Sequence, residues 1–215
     1  MEGSTTFSMM ELFNLGGIFM WPLLVFSVIT IAISIDRIIY LCRHKLRIDV
    51  LASKVLECIR QGNIKTAADF LEPQKNGSMA ARVLLALVNN SDLSEDRLEK
   101  TVETEALGCI NSLESGFNFL TAIGSLAPLT GFLGTVSGMI SAFRSIAEAT
   151  EVNAQIVANG IYEALLTTVF GLIIAIIAMS VYYLLASFVD RFSVRTEQSC
   201  SELITALAKS RRDIC

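Results

Sequence analysis

The chain has 215 residues, of which 53% are hydrophobic and only 18% are charged, and its mean hydropathy is +0.56. This composition is too apolar for an ordinary soluble domain, and a net charge of −4 without a basic cluster gives no indication of a nucleic-acid partner. The apolar residues form uncharged runs at 17–35, 115–143 and 164–189. Each run can cross roughly 30 Å of hydrocarbon at about 1.5 Å per residue. We therefore predict an all-α membrane protein with three transmembrane helices.

The first span is predicted at 18–42, after a short N-terminal segment at 1–17. No Lys or Arg precedes residue 37, whereas a signal peptide carries positive charge before its apolar run. The first span is therefore predicted to be a retained anchor. Eleven of the seventeen Lys and Arg residues lie between Arg37 and Lys100, five follow the third span, and only Arg144 lies on the other side. The positive-inside rule then predicts an N-terminus outside and a C-terminus in the cytoplasm.

The rest of the chain is predicted to be helical as well. Residues 43–93 form a cytoplasmic loop of short amphipathic helices. Ser94 is a good helix N-cap, and between it and residue 143 only Pro128 is a strong helix breaker. We therefore predict a long helix over 94–143, which contains the second span and extends into the cytoplasm. An outer loop at 144–160, a third span at 161–189 and a cytoplasmic tail at 190–215 follow.

No enzyme site is indicated by the polar residues. The five cysteines are scattered, without a Cys-x-x-Cys pair, which predicts reduced thiols and no metal site. The single histidine, His44, lies between two basic residues at the inner membrane edge and is interpreted as a solvated interfacial residue. No nucleophile–base pair, phosphate loop or cofactor motif is present in the sequence. We expect neither a cofactor nor an enzymatic activity.

Spans two and three each carry small residues at helical spacing, and each also carries a threonine, Thr135 or Thr168. Such faces allow either close helix packing or the lining of a pore or a socket for a partner helix. Two separate faces favour the second alternative. The predicted lining residues are Gly131, Gly134, Gly138 and Ala142 on span two, and Ala164, Gly171 and Ala175 on span three.

No charged residue lies deep in any span, and Glu163 stands at the outer mouth of span three. A chain that carried protons through its own acid would need a carboxylate near mid-membrane. If this chain conducts protons, another polypeptide must therefore supply the titrating group. The hydroxyls of Thr135 and Thr168 would then hydrate the path or orient that group. The alternative is that each hydroxyl bonds only to its own helix.

Two segments resemble a known family. APLTGFLGTVSGMISAF, residues 127–143, resembles the second-span motif of the MotA/TolQ/ExbB proton-channel family. GIYEALLTTVFGLIIAI, residues 160–176, resembles its third-span motif, and three spans with an outer N-terminus match the ExbB/TolQ branch. By position, Thr135, Thr168 and Glu163 fall on the proton pathway of the family, and Pro128 falls on its helix-two proline. The chain departs from the family pattern at Ile177, where a proline is common.

The resemblance implies a bacterial inner-membrane protein that couples proton-motive force to envelope or outer-membrane transport work. It implies a homo-pentamer whose second and third spans surround helices of an ExbD/TolR-like single-span protein with a membrane Asp. A TonB/TolA-like protein would receive the work, and membrane lipid would surround the complex. TonB-type and Tol-type pathways both remain open. The rival hypothesis is a non-conducting scaffold or permease subunit that uses its small faces only for packing.

Overall fold

A computed structural model describes residues 16–44, 48–148 and 154–214. Over these ranges the chain is α-helical, with short connections between helices. The N-terminal segment up to residue 15, and residues 149–153 of the outer loop, lie outside the described residues. The helices are α1 (Met20–Arg43), α2 (Asp49–Arg60), α3 (Ile64–Leu71), α4 (Met79–Asn89), α5 (Glu95–Glu114), α6 (Phe117–Glu148) and α7 (Ala154–Ile214), with a short 3-10 helix at Glu72–Gln74.

Within the described part of the chain, three helices are long and apolar enough to cross a membrane. They are α1, α6 and, within α7, the segment Val157–Arg211. The prediction of an all-α membrane protein with three spans is confirmed. The third span and the C-terminal tail form one continuous helix of 61 residues.

The long helix predicted over 94–143 is divided in the structure, because α5 ends at Glu114 and α6 begins at Phe117. Ser115 leaves the helical conformation (φ −52°, ψ 129°), and Gly116 has a positive φ of 87°. A glycine in this left-handed region just beyond the last turn is a common helix terminator, since it has no Cβ to clash. The break therefore lies at Gly116.

Pro128, the one strong helix breaker that the sequence shows in this range, does not break the helix, because α6 continues through this residue. A proline inside a helix removes one N–H donor, here the donor to the carbonyl of residue 124, and normally kinks or ends a helix in water. Membrane helices tolerate proline because neighbouring helices and local adjustments compensate for the lost bond. Pro128 is thus an interior residue of the second span.

The chain divides into two compact units. The first comprises Met1–Ile35 and Gly116–Tyr183, and its apolar core joins α1 to α6 and α7. The second comprises Asp36–Ser115 and Leu184–Cys215. Its central helix is α4, in which eight of eleven residues are buried. An ion pair from Arg82 Nη2 to Glu105 Oε1 (2.7 Å) joins α4 to α5, and a second, from Arg195 Nη1 to Asp49 Oδ2 (2.8 Å), joins α7 to α2.

Candidate functional site

The small-residue faces of α6 and α7 lie against each other. A Cβ added to Gly171 would be 2.6 Å from the Ala127 carbonyl oxygen, and one on Gly160 would be 2.7 Å from the Ala142 Cβ. High numbers on one helix meet low numbers on the other, so the two helices are antiparallel. We call this contact the seam. Its residues are Ala127, Gly131, Gly134, Gly138 and Ala142 on α6, and Gly160, Ala164, Thr167 and Gly171 on α7.

The expectation that these two faces line a cavity needs correction. Gly131, Gly134, Gly138 and Gly171 are buried, and the remaining predicted lining residues, Ala142, Ala164 and Ala175, are at most 7% exposed. Since the two faces cover each other, the small residues allow close backbone approach within one chain. The spacing of small residues along a sequence shows that they share one face of a helix, but it does not show which surface that face contacts.

Thr167 is a seam residue that the sequence reasoning missed. Its side chain is 1% exposed, and its Oγ1 donates to the Ala164 carbonyl (2.7 Å) and lies 3.3 Å from the Gly131 carbonyl. The motif resemblance directed attention to the second threonine of the Thr-Thr pair. The signal for Thr167 was present, since it stands three residues after Ala164 and four before Gly171, which is the spacing of one helix face.

Thr135 and Thr168 are both half-buried, and both hydroxyls donate to backbone carbonyls. Thr135 Oγ1 donates to Phe132 O at 2.6 Å within its own helix. Thr168 Oγ1 donates across the seam to Gly131 O at 3.1 Å. The Gly131 carbonyl lies one helical turn from Thr135. The structure therefore brings the two predicted threonines to neighbouring levels of the same helix pair.

The two threonines lie on the same side of the seam. Gly134 and Thr167 face each other, since a Cβ on Gly134 would be 2.7 Å from the Thr167 Cβ. Thr135 and Thr168 each follow one residue later, and one residue turns a helix by about 100°. In antiparallel helices this turn leads both side chains to the same side. We call Thr135 and Thr168 the threonine edge.

Helix α1 covers the opposite side of the seam. Its residues Met20 and Leu23 are buried in one cluster with Ile123 and Ile174, and Phe170 packs against that cluster. Phe170 and Ile174 precede the small residues at 171 and 175 by one position, whereas Thr168 follows Thr167 by one position. A step back along the helix rotates a side chain in the opposite direction to a step forward, so Phe170 and Ile174 lie on the side of the seam opposite Thr168. The threonine edge is thus not the side that α1 covers.

Glu163 lies on the α1 side and is not brought to the threonine edge. It precedes Ala164 by one residue, and its carboxylate contacts Gly17: a Cβ on Gly17 would overlap Glu163 Oε1. Gly17 has a positive φ of 68°. The Gly16–Gly17 turn before α1 therefore leaves space for this half-buried carboxylate. Because Gly17 and Glu163 are 146 positions apart in the chain, no local sequence pattern predicts their contact.

We expect Gly17→Ala to destabilise the protein and displace the Glu163 side chain. The substitution adds roughly 1–2 kcal/mol of backbone strain, together with the overlap on the carboxylate. Gly62→Ala is a matched control, because Gly62 has a φ of 71° and no atom within 4 Å of an added Cβ. In thermal unfolding, Gly17→Ala should lower the melting temperature more than Gly62→Ala does. Glu163→Ala in the Gly17→Ala background should remove the difference, and equal falls in both single variants would contradict the contact.

Comparison with known proteins agrees with these features. Residues 74–198 match the MotA/TolQ/ExbB proton channel family. The chain is 30% identical over 187 residues to a putative biopolymer transport protein ExbB-like 1 of Synechocystis sp., covering 83% of this chain and 71% of that protein. It is 27% identical over 189 residues to the biopolymer transport protein exbB1 of Vibrio cholerae, covering 85% and 81%. It is also 40% identical over 85 residues to the Tol-Pal system protein TolQ of Pseudomonas aeruginosa, covering 40% and 34%.

The three long apolar helices define a multi-pass α-helical membrane protein, and its similarity to ExbB proteins supports the inner membrane as its location. The matched residues include all of α4, α5 and α6, and the greater part of α7. The chain belongs to the MotA/TolQ/ExbB proton channel family, and its relatives place it in the ExbB/TolQ branch.

Proposed function

We propose that this protein is the channel scaffold of an inner-membrane motor that couples proton-motive force to transport or maintenance work in the cell envelope. Its N-terminus would be periplasmic and its C-terminus cytoplasmic, in agreement with the distribution of Lys and Arg. The observation that supports the proposal best is the threonine edge. Two hydroxyls from two spans lie at neighbouring levels, half-buried, on the side of the seam that α1 leaves uncovered.

The hydrogen bonds of Thr135 and Thr168 limit what their hydroxyls can bind. Each hydroxyl proton is already donated to a backbone carbonyl, so each oxygen presents only lone pairs to a neighbour. An oxygen of this kind accepts a hydrogen bond from water or from a protonated carboxyl group, and it offers nothing to a carboxylate. The edge would therefore stabilise the protonated state of an acid in a partner helix.

The partner in this proposal is an ExbD/TolR-like single-span protein with a membrane Asp. Its helices would lie within a homo-pentamer of this chain, against the threonine edge of each subunit. A proton that moved from the outer side to the Asp would neutralise it, and the neutral acid would bind the hydroxyl oxygens as the helix turned. Each proton supplies about 2.3 kcal/mol per 100 mV of membrane potential. A TonB/TolA-like protein would then receive the mechanical work.

Glu163 has a separate role in this proposal, as an acid at the outer entrance. Its contact with Gly17 fixes its carboxylate next to the beginning of α1, away from the two hydroxyls. Protons would reach it first from the periplasm and continue through water to the threonine edge. Glu163→Gln would then lower the rate of proton entry without changing the assembly of the subunits.

The second candidate is a non-conducting scaffold or permease subunit. The observation in its favour is the seam, because the small faces are fully used in packing within one chain. It gives the hydroxyls of Thr135 and Thr168 no function beyond their backbone hydrogen bonds. The two candidates therefore differ in the effect of removing these hydroxyls without changing the side-chain shape.

Native mass spectrometry of the tagged protein, extracted gently from its own host, tests the assembly. We expect a pentamer that carries a small single-span protein with an Asp in its membrane segment. The sequence of the bound protein would also distinguish a TonB-type from a Tol-type pathway. A monomer, a dimer or a pentamer bound to a transporter core would contradict the motor and favour the second candidate.

A further inference from the structure

A cavity of about 250 Å³ lies beside the last turn of α1, in the second unit. Its lining residues are Tyr40, His44, Lys75, Asn76, Met79 and Arg82. Two of these are permanent cations and one is a histidine. Among the lining residues that the structure describes, none is a carboxylate. The cavity therefore offers hydrogen-bond donors and two cations, each of which also contacts one glutamate outside the lining.

The aromatic residues of α1 place this cavity at the level of the lipid headgroups. Trp21, which is 63% exposed, and Tyr40 stand near the two ends of the helix. They are separated by 19 positions, or roughly 28 Å at about 1.5 Å per residue. This distance matches the roughly 30 Å of a hydrocarbon layer, and Trp and Tyr favour its two interfaces. His44, one turn beyond Tyr40, then lies among the headgroups.

The two cations are paired but retain donors for a ligand. Lys75 contacts Glu72, and its side chain is 44% exposed. Arg82 donates hydrogen bonds from its Nε and Nη2 groups to Glu105 Oε1, and its side chain is 45% exposed. An ammonium group has three donors and a guanidinium group has five, so both can bind a further anion. The His44 ring packs on Tyr40 (centroids 4.2 Å apart) and places its Nδ1 3.1 Å from the Tyr40 carbonyl oxygen. In the tautomer that donates this hydrogen bond, Nε2 can accept one from a hydroxyl group of the ligand.

We propose that this cavity binds the phosphate of an anionic phospholipid such as phosphatidylglycerol. Lys75 and Arg82 contribute charge and hydrogen bonds to the phosphate. Asn76 and Tyr40 contact the polar part of the headgroup, and the acyl chains lie along the exposed side chains of Ile38 and Ile39 near the end of α1. A soluble phosphate has no such apolar attachment. The site depends on the depth of α1 in the membrane and is independent of the threonine edge.

The test measures lipid binding to the full-length protein in non-ionic detergent by native mass spectrometry. Phosphatidylglycerol and phosphatidylcholine with the same acyl chains are titrated separately. Two variants alter the charge of the cavity: Lys75→Gln removes a cation, and Asn76→Asp adds an anion without changing the size of the side chain. Lys65→Gln is the matched control, because Lys65 is an exposed lysine of the same unit outside the cavity.

We expect the wild-type protein to prefer phosphatidylglycerol, and each cavity variant to lower its affinity for this lipid about fivefold. Binding of phosphatidylcholine should be unchanged, and Lys65→Gln should resemble the wild type. Equal binding of the two lipids by the wild type, or equal losses in Lys65→Gln and Lys75→Gln, would overturn the proposal. Displacement of phosphatidylglycerol by inorganic phosphate at the same concentration would also overturn it, since the site would then bind a soluble anion.

Discussion

Replacement of both Thr135 and Thr168 by valine is expected to lower proton flux strongly while the subunits still assemble. Valine has nearly the shape of threonine, so the side-chain packing is kept, while Thr168→Val also removes the hydrogen bond from Thr168 Oγ1 to the Gly131 carbonyl oxygen across the seam. A hydrogen bond between two neutral groups contributes about 0.5–1.5 kcal/mol, and about 1.4 kcal/mol corresponds to a tenfold change. Each single variant should therefore lower the flux by about twofold to tenfold, and the double variant should lower it by the product of the two effects. The flux can be measured with a pH-sensitive dye in liposomes that contain the complex with its partner.

Two controls separate the loss of a hydroxyl from other effects. Thr168→Ser keeps the hydroxyl and should retain most of the flux. Thr130→Val removes a hydroxyl that donates to the Leu126 carbonyl within α6 (2.8 Å) and lies off the threonine edge. It should leave the flux unchanged. A Thr135→Val, Thr168→Val protein with normal flux would exclude both residues from the pathway and favour the non-conducting scaffold.

Gly171→Ala is expected to destabilise the seam, because its added methyl group would meet backbone atoms of α6. The added Cβ would lie 2.6 Å from the Ala127 carbonyl oxygen and 3.3 Å from the Gly131 Cα, and backbone atoms of a packed helix do not move aside cheaply. Overpacking of this kind costs about 1–3 kcal/mol. The helical preference of alanine over glycine returns only roughly 0.5–1 kcal/mol. The variant should therefore unfold at a lower temperature than the wild type in detergent.

Gly108→Ala is the matched control for Gly171→Ala. Gly108 is an exposed glycine in the interior of α5, and no atom lies within 4 Å of an added Cβ. Only the helical preference applies there, so its melting temperature should stay the same or rise slightly. If Gly171→Ala were as stable as Gly108→Ala, the two helices would be further apart than the seam requires.

The three spans could be predicted because hydropathy over a long run is a local property of the sequence. The break at Gly116 was not predicted, although a glycine after the last polar turn of a helix is a recognised stop signal. Proline is a stronger helix breaker than glycine in water, so Pro128 rather than Gly116 stands out in the sequence. Inside a membrane this order is reversed: a proline can be compensated by neighbouring helices, while a glycine with positive φ ends the helical conformation.

The site was only partly predictable for a different reason. Motif resemblance identified Thr135 and Thr168, and the structure places them on one edge. Their neighbours depend on contacts between distant parts of the chain, which no local pattern contains. The partner of Gly131 is the Thr167–Thr168 backbone of another span, and Glu163 meets Gly17. Such contacts decide which small residues pack and which polar residues remain accessible.

The closed seam also bears on how the subunit is made. The small-residue faces of α6 and α7 pack against each other within one chain. The last two spans can therefore associate as a helical hairpin as soon as both are in the membrane. No second subunit is needed to cover their glycines. We therefore expect the α6–α7 hairpin to form within each chain before the subunits associate.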